Sequence, residues 1–207
     1  MKFFAETLQL VVPSLLTRYL PVLLFNQHLE SAVLAGLVPV VTAIVGWSLL
    51  SSLAILRSSD QFRSKQLVSG IGGLALGSAG FHVTIVLFGA PVVDLWPQTL
   101  LLAVLLSGCT TMPLALHLTC APQKWLNLLL DLRVTNTHEL YLACSSIGAV
   151  LGAYLGAFPI PLDWDRPWQQ WPLTCVYGTL LGHAAGILTS VAIAATSTSI
   201  AKLAKRE

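Results

Sequence analysis

Charge is what this 207-residue sequence has least of: 11 Lys and Arg with 9 Asp and Glu make up 10% of the chain, where a soluble domain carries about 25%. So few charges cannot coat a water-facing surface of this size. That scarcity excludes a nucleic-acid binder, a disordered chain and a soluble enzyme with a large water-filled domain. Four Cys (Cys109, Cys120, Cys144, Cys175) lie in or beside apolar runs without C-x-x-C spacing. They read as small core residues rather than disulfides or metal ligands. Also lacking are a glycine-rich phosphate loop, a His-Glu-x-x-His pair and a Gly-x-Ser-x-Gly elbow. What is present is apolar surface, with 55% hydrophobic residues and a mean hydropathy of +0.77. This is the composition of a membrane protein.

Charge-free runs cover residues 31–56, 66–93, 95–123, 140–162 and 167–201. Each holds the roughly 20 apolar residues that cross a bilayer as a helix. A sixth segment, 7–25, contains Arg18 and two prolines, Pro13 and Pro21, that should kink it. None of the runs has the alternation of barrel strands, so the spans should be helices. The expected fold is an all-α membrane protein, a polytopic bundle of six transmembrane helices near 7–25, 31–56, 67–90, 97–118, 139–158 and 173–195. The polar Thr196 to Ser199 tract should end the last helix. No connector is long enough to fold alone, so residues 1–207 form a single transmembrane domain.

Basic residues give the orientation. Lys2, Arg57, Arg63, Lys65, Lys124, Arg133, Lys202, Lys205 and Arg206 fall on one side, and Arg166 alone on the other. The positive-inside rule then places both termini in the cytoplasm. Glu6 precedes the first apolar run and Arg18 interrupts it, so this segment should stay as an anchor rather than be cleaved.

The connector between the last two spans holds four prolines, Trp164, Trp168 and Trp171, and the charged Asp163, Asp165 and Arg166. Proline fixes φ and makes the loop stiff, and indoles suit the headgroup layer. The loop reads either as an aromatic belt or as a charged surface held for a partner or a headgroup. Gly148, Gly152 and Gly156, then Gly178, Gly182 and Gly186, recur every fourth residue on the two flanking spans. Such faces allow close backbone approach, whether to each other in an antiparallel hairpin or to another protein. A further cluster, Gly70, Gly72, Gly73, Gly77 and Gly80, lies in the third span.

His82 and His183 lie inside spans and His117 near a span end, where a neutral His more often bonds across helices than catalyses. Arg18 and Asp94 are ionisable groups at or near membrane depth, which commonly mark function. Lys124, Asn127, Asp131 and Thr135 recur at helical spacing opposite Trp125, Leu126, Leu128, Leu129 and Leu132. They make either a surface amphipathic helix or an extension of a span. On the non-cytoplasmic side Glu30, Asp94, Asp163, Asp165 and His28 are too scattered for a metal site. No metal or other cofactor is expected.

The run Gly156-Ala157-Phe158-Pro159-Ile160-Pro161-Leu162-Asp163-Trp164-Asp165-Arg166-Pro167-Trp168-Gln169, followed by Trp171-Pro172, resembles the most distinctive stretch of the PIG-F family of glycosylphosphatidylinositol (GPI) anchor biosynthesis proteins. Phe81-His82-Val83 with Leu87-Phe88-Gly89-Ala90-Pro91 resembles a second stretch. The resemblance implies an endoplasmic reticulum membrane protein without catalytic residues of its own. It would stabilise a large catalytic partner, a PIG-O-like or PIG-G-like transferase that moves ethanolamine phosphate from phosphatidylethanolamine to the GPI glycan in the lumen. The glycine faces and the Asp163 to Trp171 loop, with His82, would then meet the partner or membrane lipids. Two other readings stay open. One is lipid handling, with Arg18 or Arg166 on a phosphate. The other is an autonomous transferase with His82 or His183 as base near Asp94. A transporter of inverted repeats finds no matching halves.

Overall fold

Long charge-free runs bury every backbone polar group most simply as helix, and the computed structural model is helical throughout its ordered elements. It describes residues 2–26, 28–58, 64–162 and 164–203, with side chains described within 11–197. The expectations placed on Asp163, Arg63, Lys205 and Arg206 lie outside the described residues, as do those on the side chains of Lys2, Glu6 and Lys202. In chain order the helices are α1 (Lys2–Phe25), α2 (Val33–Ser58), α3 (Ser64–Leu87), α4 (Trp96–Cys109), α5 (Thr111–Leu118), α6 (Pro122–Leu129), α7 (Thr137–Ala157) and α8 (Leu173–Leu203). A 3-10 turn, Pro167–Gln169, precedes α8. Among the described residues, five stretches are long and apolar enough to cross a membrane: Val33–Arg57, Ser64–Leu87, Trp96–Leu118, Thr137–Ala157 and Leu173–Ser197. The apolar part of α1, Val11–Phe25, is shorter. Pro13 and Pro21 sit inside α1 as one continuous helix, and the Thr17 hydroxyl donates 2.8 Å to the Pro13 carbonyl.

The fourth span is broken where the sequence reading drew one helix. Pro113 has no N–H to give to the Cys109 carbonyl, and its ring crowds that carbonyl. The chain leaves helical geometry at Thr110 (φ −124°, ψ −80°) and restarts as α5. Side chains take over where the ladder fails. Ser48 Oγ on α2 donates to the Gly108 carbonyl at 2.8 Å, and Thr110 Oγ1 to the Leu106 carbonyl at 2.7 Å. α4 and α5 are the most buried part of the molecule, with Leu102, Leu105, Met112, Leu114 and Leu116 all at 2% exposure or less. They pack against α2, α3, α7 and α8, so the core lies around them.

Two further boundaries differ from the sequence reading. α8 continues past residue 195 to Leu203. There the Thr196 and Ser197 hydroxyls bond back to the Ala192 and Ile193 carbonyls, so the polar tract joins the helix instead of ending it. The surface helix α6 is its own element and stops at Leu129. Only Trp125, Leu128 and Leu129 of the expected apolar face pack inward, while Leu126 and Leu132 are exposed. Asp131 lies beyond that helix and pairs with Arg133 at 3.5 Å, and Thr135 instead bonds to the first turn of α7, whose N-cap is Asn136. Thr135 N and Oγ1 both donate to Glu139 Oε2, while Glu139 N donates 2.8 Å to Asn136 Oδ1. This reciprocal bonding holds the first turn of α7.

Candidate functional site

The glycines of α7 and α8 meet one another. A Cβ built on Gly148 would fall on the Gly182 carbonyl oxygen, one on Gly152 on that of Gly178, one on Gly156 on that of Thr174, and one on Gly186 on that of Cys144. These pairs run in one antiparallel register, and each places a glycine Cα against a facing carbonyl. Such contacts supply weak Cα–H···O bonds and dense dispersion contact. Both glycine faces pack on each other inside the hairpin. In α3 the cluster divides. Gly70, Gly73 and Gly77 lie against Leu116, Ala115 and Thr111, whereas Gly72 and Gly80 have nothing within 4 Å of a built Cβ. The seam between α3 and the break at Thr110 is closed by Ser107, whose Oγ donates 2.9 Å to the Leu74 carbonyl and lies 2.6 Å from Thr111 Oγ1.

The connector across the top of this hairpin is held by Gln169. Its Nε2 reaches the Pro159 carbonyl at 2.5 Å and also the Leu162 carbonyl, while its Oε1 accepts from Arg166 N at 3.4 Å. The loop is then tied to other elements: Trp171 Nε1 donates 3.0 Å to Thr99 Oγ1 at the start of α4, and Gln170 Nε2 reaches the Glu30 carbonyl at 3.5 Å. Trp164 and Trp168 meet edge to face at 6.0 Å between centroids. Trp164, Asp165 and Arg166 are exposed, and Trp168 is half-buried. Proline content had marked the loop as stiff, but the residue that fixes it is Gln169. A glutamine ten positions from its carbonyl acceptor leaves no periodic signal.

A cavity of about 280 Å³ opens beside this loop, between α1, the α1–α2 connector and α8. Arg18, His28, Glu30 and Tyr177 give it polar walls, and Leu180 and Leu181 give it apolar ones. Arg18 was noticed in sequence as an ionisable residue inside a span. Tyr177 was not, and its only signal is a phenol within two turns of a helix end, a common interfacial place.

Of the histidines only His28 lines this cavity; His82, His117, His138 and His183 lie elsewhere. His183, 8% exposed, has Nδ1 3.3 Å from the Ser145 carbonyl, a bond across the hairpin as expected of a buried neutral ring. His82 differs, since its buried Nδ1 has no hydrogen-bond partner. His117 meets His138, a residue the sequence pattern does not single out, edge to face at 4.1 Å between ring centroids. With Ser48, Ser52 and His183 these rings line a seam of about 10 Å³, no larger than one water needs. Asp94 is exposed in the α3–α4 connector. Among the described residues no group of three His, Cys, Asp or Glu is arranged to hold a metal ion.

These features define a membrane protein of close-packed helices, with a tight glycine hairpin, a braced loop and one amphipathic cavity. The sequence matches the model of the GPI biosynthesis protein family Pig-F over residues 7–191. The chain belongs to that family. It is 34% identical over 188 residues to the human "GPI ethanolamine phosphate transferase, stabilizing subunit", covering 90% of this chain and 85% of that one. The Mus musculus protein of the same name is 44% identical over 109 residues, 53% of this chain and 50% of that one. "Glycosylphosphatidylinositol anchor biosynthesis protein 11" of Yarrowia lipolytica is 36% identical over 123 residues, 59% of this chain and 53% of that one. No solved structure matches the chain.

Proposed function

We propose that this chain is a non-catalytic subunit of the endoplasmic reticulum membrane that binds and stabilises a GPI ethanolamine phosphate transferase of the PIG-O-like or PIG-G-like kind. The observation that carries the reading is kinship over 90% of the chain to a protein named as the stabilising subunit of that transferase. Six spans with cytoplasmic termini fit it. α1 runs for 24 residues, of which Val11–Phe25 is the apolar part; the sixth span counts residues 7–25, about 28 Å at 1.5 Å per residue, close to the roughly 30 Å hydrocarbon layer. The braced loop of Trp164, Asp165, Arg166 and Trp168 then stands on the luminal side.

The partner surface lies where small residues remain open. With the α7 and α8 glycines buried in their own hairpin, the outward side of α3, with Gly72 and Gly80 unfilled and Val83 and Leu87 exposed, is the face a transferase helix can approach. The test is affinity purification of the tagged chain from endoplasmic reticulum membranes in mild detergent, with partners identified by mass spectrometry. A large multi-span protein at equal stoichiometry is the expected result, reduced by Gly72→Leu or Gly80→Leu in chains that melt like wild type. Recovery of the chain alone, or equal recovery from both variants, would overturn the reading.

A further inference from the structure

We infer that the cavity between α1 and α8 is a binding site for the headgroup of a phosphoethanolamine-bearing phospholipid. Its walls bring together one cation, one anion and one phenol. Arg18 comes from α1, Glu30 from the connector, and Tyr177 from the second turn of α8. The Tyr177 hydroxyl lies within electrostatic reach of both Glu30 and Arg18. Among the described residues neither the Arg18 nor the Glu30 side chain forms a hydrogen bond or an ion pair, the latter being confined to Asp131 and Arg133. An arginine and a glutamate share one cavity without neutralising each other. A guanidinium at membrane depth with no internal counter-ion is costly unless it finds an anion or water.

Depth selects the class of ligand. Arg18 precedes the end of α1 at Phe25 by seven residues, about 10 Å of helix, while His28 and Glu30 lie beyond that end. The cavity therefore runs from the connector into the edge of the apolar layer, the depth of lipid phosphates and their amines in the leaflet that the proposed topology makes luminal. Leu181, which lines it, is 71% exposed, so the mouth faces sideways into the acyl chains. A volume of about 280 Å³ is below that of ordinary drug-sized pockets. It suits a headgroup whose tails stay outside.

Chemistry selects the headgroup. Arg18 supplies a fork for a phosphate diester, with the Tyr177 hydroxyl as a further donor. Glu30 supplies an acceptor for a primary ammonium. Choline carries no N–H for that carboxylate and is bound instead within several aromatic rings; among this cavity's lining residues Tyr177 is the one phenyl ring. A phosphatidic acid would leave Glu30 facing a second anion. The zwitterion with a primary amine satisfies both ends.

This inference rests on the cavity's own residues and stands apart from the subunit reading, except for which leaflet the mouth faces. The test uses the full chain in phosphatidylcholine nanodiscs with a photoactivatable phosphatidylethanolamine probe, and maps the labelled peptides. Labelling on α1 and α8 is expected, competed by phosphatidylethanolamine about tenfold better than by phosphatidylcholine or phosphatidic acid, the ratio that one charge-assisted hydrogen bond gives. Arg18→Met should lower labelling about tenfold. Glu30→Gln should retain labelling and lose the preference over phosphatidylcholine. Equal competition by phosphatidylcholine and phosphatidylethanolamine in the wild-type chain would overturn the inference. So would labelling unchanged in both variants. Displacement of the probe by soluble phosphoethanolamine at equal concentration would overturn the lipid as source. Partner recovery measured on the same variants reports on the subunit role independently.

Discussion

Gly152→Ala adds one methyl group where two helix backbones meet. The new Cβ would overlap the Gly178 carbonyl oxygen and stand 2.9 Å from both the Gly178 carbonyl carbon and Gly182 Cα, where ordinary contact begins at 3.4 Å. All three atoms are backbone, so no rotamer change relieves the overlap. α7 and α8 have to part by at least about 0.5 Å, a gap that forfeits a quarter or more of each dispersion well along the seam. Overpacking of this sort costs about 1–3 kcal/mol. For a chain of this length that is a fall in Tm of about 2–12 °C. Intrinsic fluorescence of the six Trp residues in detergent reports it directly. Gly80→Ala is the matched control, because it adds the same methyl to a helix face with nothing within 4 Å and should move Tm little. A second change at the facing position, Gly152→Ala with Gly178→Ala, should cost less than the two alone combined, since one separation accommodates both. A wild-type melt for Gly152→Ala, or an equal loss for Gly80→Ala, would refute the hairpin packing.

Gln169→Leu removes the amide that bonds the Pro159 and Leu162 carbonyls, so limited proteolysis should cut the loop before α8 faster, with Tm lowered by about 1–3 kcal/mol in equivalent stability. Trp171→Phe deletes the indole donor to Thr99, whose hydroxyl keeps its 3.1 Å bond to the Leu95 carbonyl, and trims a ring packed on the core; the expected loss in a chemical melt exceeds the about 0.5–1.5 kcal/mol of the hydrogen bond alone. Ser107→Ala leaves the Leu74 carbonyl and Thr111 without their shared partner in the seam beside the α4–α5 break, and should lower Tm more than the same change at Ser197, whose hydroxyl bonds only within its own exposed turn.

The five stretches able to cross a membrane were legible because each is a charge-free run, and a run of that length has no other way to satisfy its backbone. Their ends were not legible from charge. The charge pattern puts the third span at 67–90, before Asp94, whereas α3 begins at Ser64 and ends at Leu87. Lys65 is tolerated in its first turn, and Gly89 at φ +100° turns the chain out of helical geometry just after its last turn. The break at Thr110 required weighing Pro113 against a strongly apolar context. The glycine repeats announced a close contact, and only the three-dimensional register shows that they meet each other. Arg18, Glu30 and Tyr177 are drawn together from the two ends of the sequence, and periodicity within single helices carries no information about such a meeting.

The inward commitment of the glycines bears on how a small subunit can hold a larger protein. A hairpin sealed by backbone contact, with its connector tied to α4 through Trp171 and to the α1–α2 connector through Gln170, behaves as one rigid piece. Rigid pieces bind with little conformational entropy lost on docking. The exposed residues of the loop are therefore presented in fixed positions, and α3 is joined to that piece through α4. Loosening the hairpin by Gly152→Ala should then weaken partner recovery even though Gly152 touches no partner, and should do so in proportion to the loss in Tm. Gly80→Leu should weaken recovery with Tm unchanged. If both variants lost recovery only in step with Tm, α3 would have no contact with the partner and the binding surface would have to be sought on the loop.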